Sequence, residues 1–288
     1  MTRSGVVRGS AARSDQNGLV PSLTPDAPAP RGVIAPDGVQ LATYEFGDDP
    51  DAPVVLAVHG FASSALANWN RTGWVRELTR AGFRVLLLDQ RGHGESGRPD
   101  EPAAYTMDAL VTDVLTVLDT YLLDEVCYLG YSLGARVGWH ASLDYPDRIS
   151  RAVLGGIPDG DPLTRFQVEA ARRWIADGTP VDDRLTDAYL RMAGTIPSND
   201  MTALVSLVEG MRGGPQPDPT APPQQPLLFA TGSEDPILAA SRSLAAACPR
   251  GEFFEIPDRN HFNAPPSREF RHRGIEFLVS ERPPGLAD

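Results

Sequence analysis

The sequence has few cysteines, no long apolar run and fewer basic than acidic residues, and each shortage excludes a class of protein. Its two cysteines, Cys127 and Cys248, cannot form a disulfide framework, so we expect both to be reduced. No apolar run reaches the ~18 residues that a transmembrane helix needs. Lysine and arginine total 26 against 38 acidic residues, a net charge of −12. This acidic balance argues against nucleic acid and against an anionic membrane as partners.

The N-terminal segment also lacks a feature, the apolar core of a signal peptide. Residues 1–31 contain arginines, but they are otherwise small, polar and proline-bearing. This composition predicts a disordered tail. We therefore expect a cytoplasmic protein, either a monomer or a homodimer.

The most informative stretch is 126–138, which reads V-C-Y-L-G-Y-S-L-G-A-R-V-G. An apolar, β-leaning run meets the pentapeptide G-x-S-x-G and passes directly into a helical pattern. Such a turn strains its central residue, and a Cβ on either glycine would collide with the crossing strand or helix. The pattern predicts that Ser132 projects above the sheet edge as a nucleophile, at a helix N-terminus. A glycine-rich turn with a capping serine is the structural alternative.

Apolar strands alternate with helical stretches on both sides of this turn. The residues from 33 to 46 indicate a hairpin. Further strands are predicted at 53–58, 83–88, 126–129, 149–154, 227–232 and 252–256, and helices at 75–81, 105–122, 139–145, 237–247 and from 265 onward. This alternation predicts an α/β fold, a parallel sheet with helices on both faces.

The pattern changes between the strands at 149–154 and 227–232, where three amphipathic stretches occur without a convincing strand. The first places one apolar face at Leu163, Phe166, Ala170 and Trp174. The third, 201–208, follows a predicted helix cap at Ser198. Six prolines within 215–226 predict an extended, semi-rigid connector. We interpret 159–225 as a small helical cap inserted into the sheet domain, with ordinary crossover helices as the alternative.

A serine nucleophile needs a neighbouring base that a carboxylate orients. His261 follows the last predicted strand, at the carboxyl edge of the sheet where Ser132 also lies, and is the candidate base. Asp235 occupies the equivalent loop after the preceding strand and is the candidate acid. Glu234 and Asp159 are its rivals, and helix capping before the following proline is the structural alternative.

The other histidines have structural interpretations. His59 and His93 lie in glycine-rich turns after buried strands, where they would brace the loops. His140 is expected to pack within a helix, and His272 to lie on a solvated one.

With these residues in place, the chain resembles the α/β-hydrolase superfamily, specifically its cap-bearing serine hydrolases. Four motifs between about residues 32 and 279 match in order: His59-Gly60-Phe61, Asp89-Gln90-Arg91-Gly92-His93-Gly94-Glu95-Ser96, Gly130-Tyr131-Ser132-Leu133-Gly134, and the pair Gly232-x-x-Asp235 with Asn260-His261-Phe262. The resemblance implies a mostly parallel eight-stranded sheet flanked by helices. Its core would comprise 32–158 and 226–281, interrupted by the cap.

The resemblance also implies an oxyanion hole formed by the backbone N–H groups of Phe61 and Leu133. It implies no metal and no organic cofactor, only a small-molecule acyl substrate and water. The turn around Arg91 would support the floor of the site.

The expected activity is hydrolysis of a carboxylic ester with small to medium apolar groups, as in carboxylesterases. Phe166, Trp174 and Tyr189 are candidates to bind the substrate, although they are equally able to pack against the sheet domain. The turn at 130–134 is called the nucleophile elbow. A serine at its centre argues against the capped relatives that use an aspartate there, the haloalkane dehalogenases and epoxide hydrolases. Thioester or carbon–carbon bond hydrolysis remains an alternative, as does a non-catalytic ligand-binding receptor or scaffold.

Overall fold

The computed structural model describes residues 27–158, 160 and 163–280. The predicted tail lies mostly outside this range; residues 27–30 contain no helix or strand, and Arg31 already begins the first strand. Within the described chain, eight strands form one sheet in the order β1-β2-β4-β3-β5-β6-β7-β8. They are β1 (Arg31–Ile34), β2 (Gln40–Phe46), β3 (Val54–Val58), β4 (Arg84–Asp89), β5 (Val126–Tyr131), β6 (Ile149–Gly155), β7 (Leu227–Gly232) and β8 (Gly251–Ile256).

The sheet is mostly parallel, as predicted. β1 pairs antiparallel with β2, and β2 with β4, whereas all other neighbours pair in parallel. Because parallel strands end at the same edge, the loops after β5, β7 and β8 meet there. These loops carry Ser132, Asp235 and His261.

Helices cover both faces of the sheet. They are α1 (Trp74–Arg80), α2 (Met107–Thr120), α3 (Leu133–Asp144), α4 (Val168–Asp177), α5 (Arg184–Gly194), α6 (Met201–Gly210), α7 (Leu238–Ala247) and α8 (Arg268–Val279). A π-helical turn spans Leu66–Asn70, and a 3-10 turn spans Pro102–Ala104. Among the described residues, no helix is both long enough and apolar enough to cross a membrane.

Alternation along the central strand β3 fills two hydrophobic layers. Leu56 and Val58 pack with residues of α2, α3 and α7. Val55 and Ala57 face the opposite layer, formed with α1 and α8. All four side chains are fully buried, and burial of each Val or Leu contributes about 1.5–3 kcal/mol. This two-sided burial explains why β3 is apolar at every position.

The helices α4, α5 and α6 lie between β6 and β7, within the segment that the sequence predicts as a cap. They share an apolar cluster of their own, which includes Phe166, Leu190 and Val205. The first helix begins later than predicted, since Leu163 and Phe166 form a turn that precedes α4.

The predicted helix cap at Ser198 is wrong. Asp200 caps α6 instead, because its carboxylate accepts the N–H groups of Thr202 and Ala203 at 2.9 and 3.1 Å. A carboxylate at this position also interacts favourably with the helix dipole.

The proline-bearing connector, 215–226, contains no helix or strand and runs beside α3. Near its start, the Arg136 guanidinium donates to Gln216 Oε1 at 2.9 Å. Near its end, Gln225 Nε2 donates to the Ser142 carbonyl at 2.6 Å. The connector therefore brings the chain back to the start of β7 along the length of α3.

Candidate active site

Ser132 lies on a sharp turn between β5 and α3. Its φ of 52° and ψ of −110° are unusual for a non-glycine residue and cost about 1–3 kcal/mol. A Cβ on Gly130 would lie 2.5 Å from the Gly134 carbonyl oxygen, and one on Gly134 would lie 2.2 Å from the Val58 carbonyl oxygen. The elbow thus packs too closely for a side chain at either glycine, the collision that the sequence predicts.

The structure brings Ser132, His261 and Asp235 together in one chain of hydrogen bonds. Ser132 Oγ lies 2.9 Å from His261 Nε2, and His261 Nδ1 lies 2.8 Å from Asp235 Oδ2. Since a carboxylate oxygen accepts, Nδ1 carries the imidazole proton and Nε2 accepts the serine hydroxyl. The Asp235 side chain is 1% exposed and that of His261 is 23% exposed. The candidate acid is therefore buried, whereas the candidate base is partly exposed.

The loops that carry the acid and the base are tied to each other. The Glu234 N–H donates to the Arg259 carbonyl at 2.9 Å, and a Cβ on Gly232 would lie 2.1 Å from that same oxygen. Tyr131, beside the nucleophile, donates its hydroxyl to the His261 carbonyl at 2.6 Å. These contacts fix the distance between the imidazole and its two partners.

The rival acids do not take this position. Glu234 is exposed, and the carboxylate bonded to His261 is that of Asp235. Asp159 lies outside the described residues. Of the remaining histidines, His140 is buried in α3, and His272 is exposed on α8, 3.5 Å from Glu276.

His59 and His93 support the turn beside Ser132. The His59 Nε2 accepts the Gln90 N–H at 3.1 Å, and the His93 Nε2 accepts the Ala62 N–H at 2.9 Å. Burial lowers the pKa of His59 to about 4; burial, together with the nearby His59, lowers the pKa of His93 to about 3. Both rings are therefore neutral near pH 7, and their contacts match the predicted bracing role.

Among the backbone N–H groups of residues 60–63, in the turn after β3, one is unused. The N–H groups of Gly60, Ala62 and Ser63 donate to Asn68 Oδ1, His93 Nε2 and the Gly60 carbonyl. Within the described residues, the intervening N–H of Phe61 has no protein acceptor.

The N–H of Leu133, the first residue of α3, is likewise without a protein acceptor in the described part of the chain. Phe61 and Leu133 both line the cavity that contains Ser132. The arrangement leaves two donors beside the nucleophile, as an oxyanion hole requires.

The turn after β4 is anchored by hydrogen bonds among charged side chains, most of which are buried. Arg91 makes two hydrogen bonds to Asp113, at 2.6 and 2.7 Å, and two to Asp37, at 2.6 and 3.3 Å. Asp89 accepts the N–H groups of Ala65 and Glu95 at 2.7 and 2.9 Å, while burial raises its pKa. These contacts anchor the predicted floor of the site without touching Ser132.

A cavity of about 300 Å³ contains the serine and histidine. The helices between β6 and β7 contribute Tyr189 and Met192 from α5 and Leu207 from α6. This volume is at the lower end of ligand pockets, which suits a small to medium substrate.

Two of the three predicted substrate-binding residues lie elsewhere, and only Tyr189 lines this cavity. Phe166 is 3% exposed inside the apolar cluster of α4, α5 and α6, and Trp174 packs against that cluster. Tyr189 contacts the Phe61 ring at 6.0 Å between centroids, and burial raises the pKa of its hydroxyl. An amphipathic pattern identifies the buried face of a helix. It does not show whether a residue on that face packs among α4, α5 and α6 or lines the cavity, because both surroundings are apolar.

Sequence reasoning missed several polar and aromatic residues of the cavity. Arg136 lies one turn after Ser132 in α3, so its i+4 spacing was a usable signal. Asn68 lies in the π-helical turn, which no pattern in the sequence predicts. Phe262 is 66% exposed at the cavity and follows the catalytic base candidate directly. In the described ranges, no cluster of three or more His, Cys, Asp or Glu side chains is arranged for a metal.

Comparison with known families supports the fold and the first part of the site. The family described as the alpha/beta hydrolase fold matches residues 53–174. This match includes Ser132 and ends before Asp235 and His261. Among solved structures, the enol-lactonase from Burkholderia xenovorans LB400 has a TM-score of 0.68 at 22% identity, covering 87% of this chain and 100% of its own.

The curated relatives include several epoxide hydrolases and one methylesterase. Epoxide hydrolase A of Mycobacterium tuberculosis is 36% identical over 142 residues, 49% of this chain and 42% of that protein. Rhodomycin D methylesterase DauP of Streptomyces sp. is 33% identical over 158 residues, 54% of this chain and 52% of that protein. The matched part thus amounts to about half of these relatives or less.

Proposed function

Because the chain belongs to the α/β-hydrolase superfamily, we propose that it is a serine hydrolase that cleaves a carboxylic ester of a small to medium apolar substrate. The observation that carries the proposal is the continuous set of hydrogen bonds from Ser132 through His261 to Asp235. This arrangement activates a serine hydroxyl at neutral pH.

In the first half of the reaction, Ser132 Oγ attacks the ester carbonyl while His261 Nε2 takes its proton. The negative charge that develops on the carbonyl oxygen is stabilised by the N–H groups of Phe61 and Leu133, at about 3 kcal/mol for each donor. Asp235 stabilises the imidazolium that forms. The imidazolium then gives its proton to the leaving alcohol, and an acyl-enzyme remains.

In the second half, water replaces the alcohol. His261 takes a proton from the water, which attacks the acyl carbon and forms a second tetrahedral oxyanion in the same place. Ser132 regains its proton as the carboxylic acid leaves.

Chemistry separates this proposal from epoxide hydrolysis, which the names of several relatives suggest. A carboxylate that opens an epoxide forms an ester, which water can hydrolyse at its carbonyl. If Ser132 opened an epoxide, it would instead form an ether, which has no carbonyl for water to attack. The serine would then be alkylated once and the enzyme would stop, so the 33% identity to a methylesterase is the more relevant likeness.

The same triad is able to cleave a thioester or a carbon–carbon bond next to a carbonyl group. We prefer an ester because the cavity is mainly apolar and needs no additional group to release an alcohol. The substrate panel therefore also includes thioesters, and vinylogous diketones as substrates for carbon–carbon bond cleavage.

The test is hydrolysis of p-nitrophenyl esters of increasing acyl length by wild type, Ser132→Ala and Ser243→Ala. Ser243 is a surface serine on α7 and serves as the matched control. We expect activity in the wild type and control, loss by several orders of magnitude in Ser132→Ala, and labelling of Ser132 by a fluorophosphonate.

Styrene oxide is included as an epoxide substrate. Turnover of the epoxide without ester hydrolysis would contradict the proposal. Absence of both turnover and labelling would favour a binding protein.

A further inference from the structure

Ala62, next to the proposed oxyanion donor Phe61, has a strained backbone conformation. Its φ of 57° lies in the left-handed region, which residues other than glycine rarely adopt. The Ser63 N–H donates to the Gly60 carbonyl at 3.3 Å, so residues 60–63 form a tight turn with Ala62 at its third position. A positive φ at this position favours glycine. The turn therefore needs support from its surroundings to keep an alanine in this conformation.

This support comes from two sides. On one side, the Ala62 N–H donates to His93 Nε2 at 2.9 Å. On the other side, Asn199 lies in the loop between α5 and α6, and its Nδ2 donates to the Ala62 carbonyl at 2.9 Å. Ala62 also packs with Ala193 of α5 and Leu204 of α6. The conformation of this alanine therefore depends on α5, on α6 and on the loop that joins them.

The side-chain amide of Asn199 is itself fixed by a second contact. Its Nδ2 also donates to the Ala193 carbonyl at 3.0 Å, in the last turn of α5, where carbonyl groups lack a partner within the helix. Both contacts are to carbonyl oxygens, which only accept, so the amide presents its nitrogen to them. The Asn199 N–H donates to the Ile196 carbonyl at 3.0 Å. Asn199 thus connects the end of α5 to the turn that carries Phe61.

Building on the proposed serine hydrolase, we propose that Asn199 is a positioning residue for the oxyanion hole. Its hydrogen bond to the Ala62 carbonyl keeps Ala62 in the left-handed conformation and thereby keeps the preceding N–H, that of Phe61, in the cavity wall. Without this bond, Ala62 relaxes toward an unstrained conformation and the adjoining peptide groups rotate. The oxyanion then loses part of the stabilisation from one of its two donors, although the triad is unchanged.

The test separates stabilisation of the oxyanion from binding of the substrate. Asn199→Ala removes the amide, and Asn199→Asp keeps its shape but offers no hydrogen to the Ala62 carbonyl. The values of kcat and KM are measured on the best ester of the panel. Each kcat is expressed per Ser132 that a fluorophosphonate labels at completion, so that unfolded molecules are not counted. A trifluoromethyl ketone, which forms an anionic adduct with Ser132, is compared with the corresponding alcohol, which forms none.

Both Asn199 variants should be defective in catalysis and normal in substrate binding. We expect kcat to fall by about 10- to 100-fold, less than the roughly 10²–10³-fold loss when an oxyanion donor is removed outright. KM should stay within about twofold of the wild-type value. The Ki of the ketone should rise by the factor by which kcat/KM falls, whereas the Ki of the alcohol should not change, since only the ketone adduct carries an oxyanion.

Asp200→Ala is the matched control, because it disturbs the same loop without touching the turn. The Asp200 carboxylate accepts the N–H groups of Thr202 and Ala203 at the start of α6. This variant should lower thermal stability and keep kcat within about twofold of wild type.

Ala62→Gly tests the role of strain directly. Glycine adopts a positive φ without strain, so the loss of kcat caused by Asn199→Ala should be smaller in the Ala62→Gly background than in the wild type. Equal losses in the two backgrounds would mean that Asn199 does not act through the conformation of Ala62.

Three further results would overturn the inference. The Asn199 variants could keep the kcat of the wild type, which would leave the serine hydrolase intact. The Ki values of the ketone and the alcohol could rise equally, which would show that the loop only shapes the binding wall. Asp200→Ala could lose as much kcat as the Asn199 variants, which would show that any loosening of the loop is enough. If no ester is hydrolysed by the wild type and Ser132 is not labelled, the proposed function fails and this inference fails with it.

Discussion

The carboxylate of Asp235 decides which nitrogen of His261 holds the proton. An asparagine at this position presents either an oxygen or an NH₂ group to Nδ1, and its NH₂ group favours the tautomer protonated at Nε2. That tautomer cannot accept the proton of Ser132. We expect Asp235→Asn to lower kcat by roughly 10³–10⁴-fold without unfolding the protein, measured on the best ester of the panel.

Glu234→Gln is the matched control, since it removes the exposed neighbouring carboxylate. Its kcat should remain within about twofold of wild type, because surface charges contribute little. A large loss in Glu234→Gln with a small loss in Asp235→Asn would reverse the assignment of the acid.

The close packing at Gly134 yields a second prediction at this scale. A Cβ there would lie 2.2 Å from the Val58 carbonyl oxygen, so β3 and α3 would have to move apart. We expect Gly134→Ala to lower the free energy of unfolding by about 2–4 kcal/mol, measured by urea denaturation.

Gly194→Ala provides the comparison, since nothing lies within 4 Å of its Cβ position. It should be neutral or slightly stabilising, by up to about 1 kcal/mol. Equal stability of the two variants would mean that the elbow tolerates a side chain.

Residues whose roles follow from position along a strand could be predicted from the sequence. Ser132, Asp235 and His261 each follow the end of a parallel strand, and the topology of such sheets brings these ends together. Asn68 could not be predicted in this way, because a π-helical turn has no periodic signature. Its relation to the cavity exists only once the turn after β3 is folded.

At the scale of elements, the cap shows where periodicity stops being informative. The amphipathic patterns locate α4, α5 and α6, and their boundaries differ from the prediction by only a few residues. They do not reveal which apolar side chains fill the cap and which line the cavity. This distinction depends on how the helices sit over the sheet edge.

Substitutions of Tyr189 and Trp174 should therefore have different effects. Tyr189→Ala enlarges the cavity and should shift the preferred p-nitrophenyl ester toward longer acyl chains by several carbons. Trp174→Ala removes a side chain outside the cavity and should leave the preference unchanged while lowering thermal stability. A shift of the length profile in Trp174→Ala alone would contradict the assignment of the cavity wall.

For the whole molecule, the buried histidines make stability depend on pH. The folded-state pKa values of about 4 for His59 and about 3 for His93 lie below the ordinary value of about 6.5. As the pH falls below about 6.5, the unfolded chain binds protons that the folded chain does not, so stability decreases until the pH reaches the folded values. The raised pKa of Asp89 acts in the opposite direction and partly offsets this loss.

We expect the free energy of unfolding to fall by about 2–3 kcal/mol between pH 6.5 and pH 5, measured by urea denaturation. His93→Gln should reduce the slope with pH, since it removes one of the buried histidines whose pKa is lowered, which are His59, His93 and His140. His272→Gln, at an exposed position, should not change it. A flat profile in the wild type would show that the buried rings are not held neutral.

The position of β8 has a consequence for how the protein loses activity. β8 pairs with β7 on one side only, and Ile256 is its only buried residue. Local opening concentrates at such edges, and His261 lies in the loop that follows this strand. Fraying of β8 would withdraw the base while the central strands keep Ser132 in place. Inactivation by mild denaturant should therefore precede the loss of circular dichroism signal and reverse fully on dilution.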